Sequence, residues 1–226
     1  EGVNAVAYIK GCYLLKRIED HVGRIKWDAY LNKYFQDFAF KSIDTEQWIS
    51  YIHENLFAND EETWTKINVQ DWIYKPGIPV NINVQKAERF EHVNKWIVDF
   101  DPNNLPSIEL TKAWSTHEWL HYLRGIKTIT ASDMAQLNSH LHLNDNKNRE
   151  IQFEWYKMGI NNDYKPAINL VNPFLLEVGR GKFVTPLYLA LIATGKKELA
   201  IEIYQAANAH YHPVVQARLK TIFQNI

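Results

Sequence analysis

Apolar residues recur along this chain at intervals of three and four, the spacing that puts them on one face of an α-helix. Val3, Val6, Ala7, Tyr8, Cys12, Leu14, Leu15 and Ile18 define a first helix that stops near Gly23. A second, Ile25 to Phe38, carries Ile25, Tyr30, Leu31, Tyr34 and Phe38 on one stripe. A third starts at Asp44, an N-cap whose capping-box partner is Gln47, and carries Trp48, Ile49, Ile52, Leu56 and Phe57. Pro76-Gly77 followed by Pro79 is the strongest punctuation in the chain, because proline cannot extend a helix and glycine takes turn angles freely. It predicts a linker at 76–85 between a segment 1–75 and a segment 86–226.

Beyond the linker the pattern predicts helices at 85–100, 107–113, 115–124, 132–141, 147–160, 163–178, 185–194, 196–208 and 213–224. Thr185 before Pro186 reads as an N-cap followed by proline at the first helical position. Gly195, between two helical runs, suits a left-handed position after a helix end. Short polar connections between helices of this length suggest stacked hairpins, an armadillo- or HEAT-like superhelix with no fixed sequence period. The expected class is all-α.

Composition narrows the function. With 46% apolar and 13% aromatic residues the chain has enough material for a sizeable core. Its 25 basic and 26 acidic side chains show no basic block, so a nucleic-acid partner has no electrostatic support. No apolar run is long enough to span a bilayer, so no membrane partner is expected. The single cysteine, Cys12, forbids an internal disulfide and fits a reducing, cytoplasmic compartment. The chain has no initiating Met and starts inside a helical pattern, so the expectation is a piece of a longer protein.

His117-Glu118-Trp119-Leu120-His121 spells H-E-x-x-H, the pattern of a zinc peptidase helix, in which two histidines at i and i+4 face the metal and the Glu activates water. His140 and His142 are the nearest candidates for a third ligand. The same letters have a plainer reading. Ser115 and Glu118 form S-x-x-E, a capping box, and a Glu that caps its own helix does not serve as a base against a metal-bound water. His117 would stand in the first, solvent-near turn, and Arg124-Gly125 ends the helix soon after. The capping box is the preferred reading, and no metal is assigned to this chain. His140 and His142 read as surface residues or helix-end caps, and His210 and His212, flanking Tyr211, as a turn.

Gly179-Arg180-Gly181-Lys182 falls between two predicted helices. Cations after a helix C-terminus offset its dipole, which is one reading. The other is an anion clamp: two glycines bring the backbone close, and the two cations grip a carboxylate, Arg with two parallel hydrogen bonds and Lys as a point charge.

Six segments, in order, carry a resemblance: "EGVNAVAYIKGCYLL", "FAFKSIDTEQWISYI", "DWIYKPGIPV", "NREIQFEWYKMGI", "GRGKFVTPLY" and "YHPVVQARL". Through them the chain resembles the C-terminal portion of the zinc aminopeptidases of peptidase family M1, in the branch that includes leukotriene A4 hydrolase and aminopeptidase B. The resemblance implies that 1–75 are the last helices of a thermolysin-like catalytic lobe and that 86–226 are the helical C-terminal domain. It implies that zinc and its ligands belong to the parent enzyme outside this chain, with Glu1-Gly2 as the turn just after the tyrosine that steadies the tetrahedral intermediate. It also implies that Arg180 and Lys182 hold a substrate carboxylate. Two departures accompany this, since Gly181 replaces a bulkier residue and Thr185 stands where relatives often carry a further Arg.

The leading expectation is thus the C-terminal fragment of a metallo-aminopeptidase, inactive alone, with peptide substrate and the N-terminal and catalytic domains of its own parent chain as partners. The alternative is a stand-alone armadillo-like protein-binding module. A small zincin built on His117 and His121 ranks last.

Overall fold

The computed structural model describes residues 5–83 and 86–224, and no strand occurs among them. The expected turn at Glu1-Gly2 lies outside the described residues. No helix among the described residues is long and apolar enough to cross a membrane. The chain divides into two compact units, Glu1–Gln85 and Lys86–Ile226.

The first unit contains α1 (Ala5–Val22), α2 (Arg24–Asp37), α3 (Thr45–Ile52), α4 (Glu61–Ile67) and α5 (Val69–Tyr74). Gly23 separates α1 from α2 with φ of 81°, the left-handed region that glycine enters without a Cβ clash. Asp44 caps α3 with the full capping box, accepting from the Gln47 N–H while the Gln47 side chain accepts from the Asp44 N–H. The stripe of α3 continues into a π-helical turn, His53–Phe57, which delivers Leu56 and Phe57 to the core beside Ile18, Ile52 and Trp72. Helices α4 and α5 are additions to the three read from periodicity; each is a turn or two long, too short for a stripe to stand out. The Pro-Gly segment is fastened to this unit, since the Lys10 ammonium donates to the Lys75 carbonyl and Arg17 donates to the carbonyls of Asn81 at 2.8 Å and Lys66 at 2.7 Å.

The second unit contains α6 (Glu88–Asn94), α7 (Ile108–Lys112), α8 (Thr116–Gly125), α9 (Ala131–Leu141), α10 (Arg149–Asn161), α11 (Lys165–Ile168), α12 (Val171–Glu177), α13 (Gly181–Ala193), α14 (Lys197–Ala207) and α15 (Pro213–Gln224). Helix α10 is central, packing on α8, α11 and α13, and α13 in turn packs on α14 and α15. The core includes Tyr122, Met134, Trp155, Ile160, Leu187, Tyr188 and Leu219, all shut off from solvent. Burying each such side chain contributes about 1.5–3 kcal/mol before the entropy of ordering it is counted. Trp155 also donates its Nε1 hydrogen to Asn144 Oδ1 at 2.8 Å, so its one polar atom is satisfied inside.

Three boundaries differ from the expectation. The run 163–178 is two helices, because Pro173 has no N–H to continue the ladder onto the Asn169 carbonyl and a new helix begins at Val171. The run 85–100 keeps only Glu88–Asn94 as α-helix. The third difference matters most for function. Helix α13 starts at Gly181, four residues before the expected Thr185, so Thr185 is not an N-cap and Pro186 lies inside the helix. Burial of Phe183 and Val184 draws that extra turn onto the core, and tertiary packing overrides the proline signal. Gly195, by contrast, takes φ of 76° after α13, as its position between two helices predicts.

Candidate anion site

The early start of α13 changes what Arg180 and Lys182 are. Arg180 is the N-cap of α13 and Lys182 stands in its first turn. Cations there oppose the helix dipole, at a cost of roughly 0.3–1 kcal/mol per exposed charge. They add instead to the positive end of the helix. No side chain caps α13, and the N–H groups of Gly181 and Lys182 have no acceptor among the described residues. Backbone donors, dipole and cations therefore point at one place, the arrangement that suits an anion.

That place is a cavity of about 460 Å³ lined by Arg180, Lys182, Thr185, His212, Val215 and Arg218 together with Gly179, Gly181 and Val214. No carboxylate lines it. Gly181 lets its far wall come close, because a Cβ there would stand 3.0 Å from Val215 Cγ2. Beside Gly179 lies Tyr211, part of a buried chain of hydroxyls. Tyr211 donates to the Leu175 carbonyl at 2.9 Å, which leaves Tyr188 as the donor to Tyr211 Oη at 3.1 Å. Burial, and for Tyr188 the bond it gives Tyr211, raises both phenols above their ordinary value, so they remain neutral donors. Their bonds tie α12, α13 and the entry to α15 together.

The two cations named from the sequence have different surroundings. Lys182 Nζ lies 2.6 Å from both carboxylate oxygens of Glu150, in the first turn of α10. The Arg180 side chain has no ion pair or hydrogen bond among the described residues, and its guanidinium rests 5.9 Å from the centre of the Phe183 ring. Sequence reasoning missed the rest of the lining. Arg218 comes from α15, and the Thr185 hydroxyl, read as a cap, is buried on α13 with no hydrogen-bond partner. The only local hint was the segment "YHPVVQARL", which contains His212, Val215 and Arg218.

The H-E-x-x-H letters sit in a different environment. Ser115 and Glu118 make the full capping box, with the Ser115 N–H and Oγ–H donating to Glu118 at 2.8 and 2.7 Å and the Glu118 N–H donating to Ser115 Oγ at 3.3 Å. Arg89 closes on the same carboxylate through Nη2 at 2.7 Å and Nε at 3.2 Å. Burial pushes the Glu118 carboxyl up, but the bonds from Arg89 and Ser115 outweigh it and bring it down to about 2. His121 donates from Nε2 to Asn94 Oδ1 at 2.7 Å and stacks on Phe90. His117 is exposed. His140 donates to the Pro106 carbonyl at 3.0 Å, and His142 is the left-handed C-cap of α9. No group of three or more His, Cys, Asp or Glu residues that could hold a metal ion occurs among the described residues.

Both helix starts lie within residues 114–223, which match the family model described as "Leukotriene A4 hydrolase, C-terminal". The chain is 28% identical, over 251 residues, to leucine aminopeptidase 2 of Lodderomyces elongisporus, covering 99% of this chain and 38% of that one. It is 28% identical, over 227 residues, to leukotriene A-4 hydrolase of Xenopus laevis, covering 94% and 36%. Its fold is similar to the solved structure of native yeast LTA4 hydrolase, with a TM-score of 0.78 at 23% identity over 97% of this chain and 39% of that one. The chain thus spans less than two fifths of the length of the relatives it matches. Helical fold, ordered sequence segments and family match agree: residues 114–223 match the leukotriene A4 hydrolase C-terminal family model, and the chain as a whole is similar to part of leucine aminopeptidase 2 and of leukotriene A-4 hydrolase.

Proposed function

We propose that this chain is the C-terminal part of a zinc metallo-aminopeptidase that removes N-terminal residues from peptides. Residues 1–75 are then the last helices of the catalytic lobe and 86–226 the helical domain that shapes one side of the cleft. In this reading zinc is held by parts of the parent outside this chain, and the chain alone is catalytically silent. Its partners are the peptide substrate and the other domains of its parent. A lone, exposed Cys12 fits a cytoplasmic setting.

The observation that carries the reading is Arg180, an unpaired guanidinium at the uncapped start of α13 within the family-matching segment. A peptide carboxylate there receives a bidentate Arg, with Lys182, its charge largely taken up by Glu150, beside it as a further N–H donor. Gripping the far end of a short peptide uses remote binding energy to orient the bond to be cleaved. One charge-assisted bond supplies about 1.5–3 kcal/mol when shielded and less at an open site. Arg180→Ala in the full-length enzyme is expected to lower kcat/KM for short free-acid peptides roughly ten-fold. Uncharged chromogenic amides, which have no carboxylate to place, keep their rate. Equal losses on both substrate types would refute the clamp.

A further inference from the structure

Glu150 takes up the charge of Lys182 at 2.6 Å, so Lys182 brings little net charge to the cavity. Two guanidinium groups remain, Arg180 on α13 and Arg218 on α15, and neither has a carboxylate partner among the described residues. They stand in one cavity with no acidic lining. The Thr185 hydroxyl, on a residue only 8% exposed, lines that cavity without a partner. A buried hydroxyl left unbonded is destabilising, and an arriving acceptor removes that penalty. The uncapped α13 N–H groups add two more donors. The site therefore has more positive charge and more donors than one carboxylate uses.

We infer that Arg218 is a specificity-determining second arm of this site, and that the site selects peptides whose C-terminal residue is itself acidic. The inference rests on the carboxylate reading above and extends it. Arg180 and the start of α13 take the terminal carboxylate. Arg218, with Thr185 beside it, takes the side-chain carboxylate of a C-terminal Asp or Glu. A neutral amide of the same shape, Asn or Gln, leaves Arg218 facing a dipole in place of a charge. The remaining wall, Val214 and Val215, is apolar and suits the methylene stem of such a residue.

The test is a calorimetric titration of the 226-residue chain at low salt, where screening is weak. The probes are N-acetylated Ala-Ala-Glu and Ala-Ala-Gln, with inorganic phosphate as the competing small dianion. The wild-type chain is expected to bind the Glu-ended peptide roughly five-fold more tightly than the Gln-ended one, the order of one solvent-near ion pair. Arg218→Ala removes that preference and leaves the Gln-ended peptide unaffected, whereas Arg218→Lys retains part of it. Arg180→Ala weakens both peptides. Lys220→Ala, on the exposed side of α15 and outside the cavity, changes neither. Full discrimination in Arg218→Ala, with both peptides weakened by Arg180→Ala, overturns the role of Arg218 and leaves the carboxylate site standing. Failure of the wild-type chain to bind either peptide overturns both. Phosphate binding tighter than either peptide overturns the assignment to peptides.

Discussion

Two helices in the same unit begin in opposite ways. At the start of α8 the charged and capping groups have partners: Ser115 and Glu118 cap one another, Arg89 closes the carboxylate, and His121 is bonded to Asn94 and stacked on Phe90. At the start of α13 the groups are left open, with an uncapped backbone, cations against the dipole, a buried hydroxyl without a partner and Arg180 without an ion pair. Only the first spells a catalytic motif. Of the two, the second is the one with a guanidinium that lacks a carboxylate partner and a buried hydroxyl that lacks a bond. Chemistry is to be sought where folding leaves polar groups unsatisfied, since a group already saturated by its neighbours has to break bonds before it can act.

If the start of α8 is built for stability, damage there is large and leaves ligand binding intact. Glu118→Ala removes the reciprocal cap and strips Arg89 of its partner, and thermal unfolding should show a loss of about 2 kcal/mol. The pH dependence has a fixed sign. The Glu118 carboxyl is depressed from 4.5 to about 2 in the folded protein, so its contribution is complete above about 4.5 and is lost as pH falls through about 2. The stability gap between the protein and Glu118→Gln should therefore close as pH is lowered across that window. A gap that persists at pH 2 would mean that Glu118 acts by shape alone.

Near the start of α13 a buried hydroxyl chain joins α12, α13 and the segment before α15. Tyr211→Phe leaves the Leu175 carbonyl unbonded and Tyr188 without its acceptor. It should cost about 1–2 kcal/mol, less than Glu118→Ala. If the melting temperature does not move, the hydroxyl chain is not what holds α15 near the site. Smallest of all, Arg180→Ala and Arg218→Ala should shift stability by no more than roughly 0.5 kcal/mol, as expected of exposed groups without partners.

Much of this architecture is legible from residue spacing. The stripe of α3 and the caps at Asp44, Ser115 and Gly195 are local signals, and they survive in the fold; the stripe read for α2 survives only in part, since Ile25 is exposed and Trp27, outside the stripe, is buried beside Tyr30. The start of α13 was misread because Thr185-Pro186 is a sound local signal that the burial of Phe183 and Val184 overrules. At the site, Arg180 and Lys182 are visible as a basic pair between glycines. The pairing of Lys182 with Glu150 is not, because it joins residues 32 positions apart on different helices. Arg218 is hidden for the same reason: helix packing alone brings α15 beside α13, and no spacing rule encodes it.

The central claim, that the start of α13 is open to an anion while the start of α8 is closed, has a direct readout in the arginine side-chain Nε–H signals of the 226-residue chain during titration with a short free-acid peptide. The account predicts that the Arg180 and Arg218 signals shift and saturate while those of Arg89 and Arg124, each already held by a glutamate, stay in place. Shifts at Arg89 equal to those at Arg180, or no shift at Arg180 at all, would contradict it.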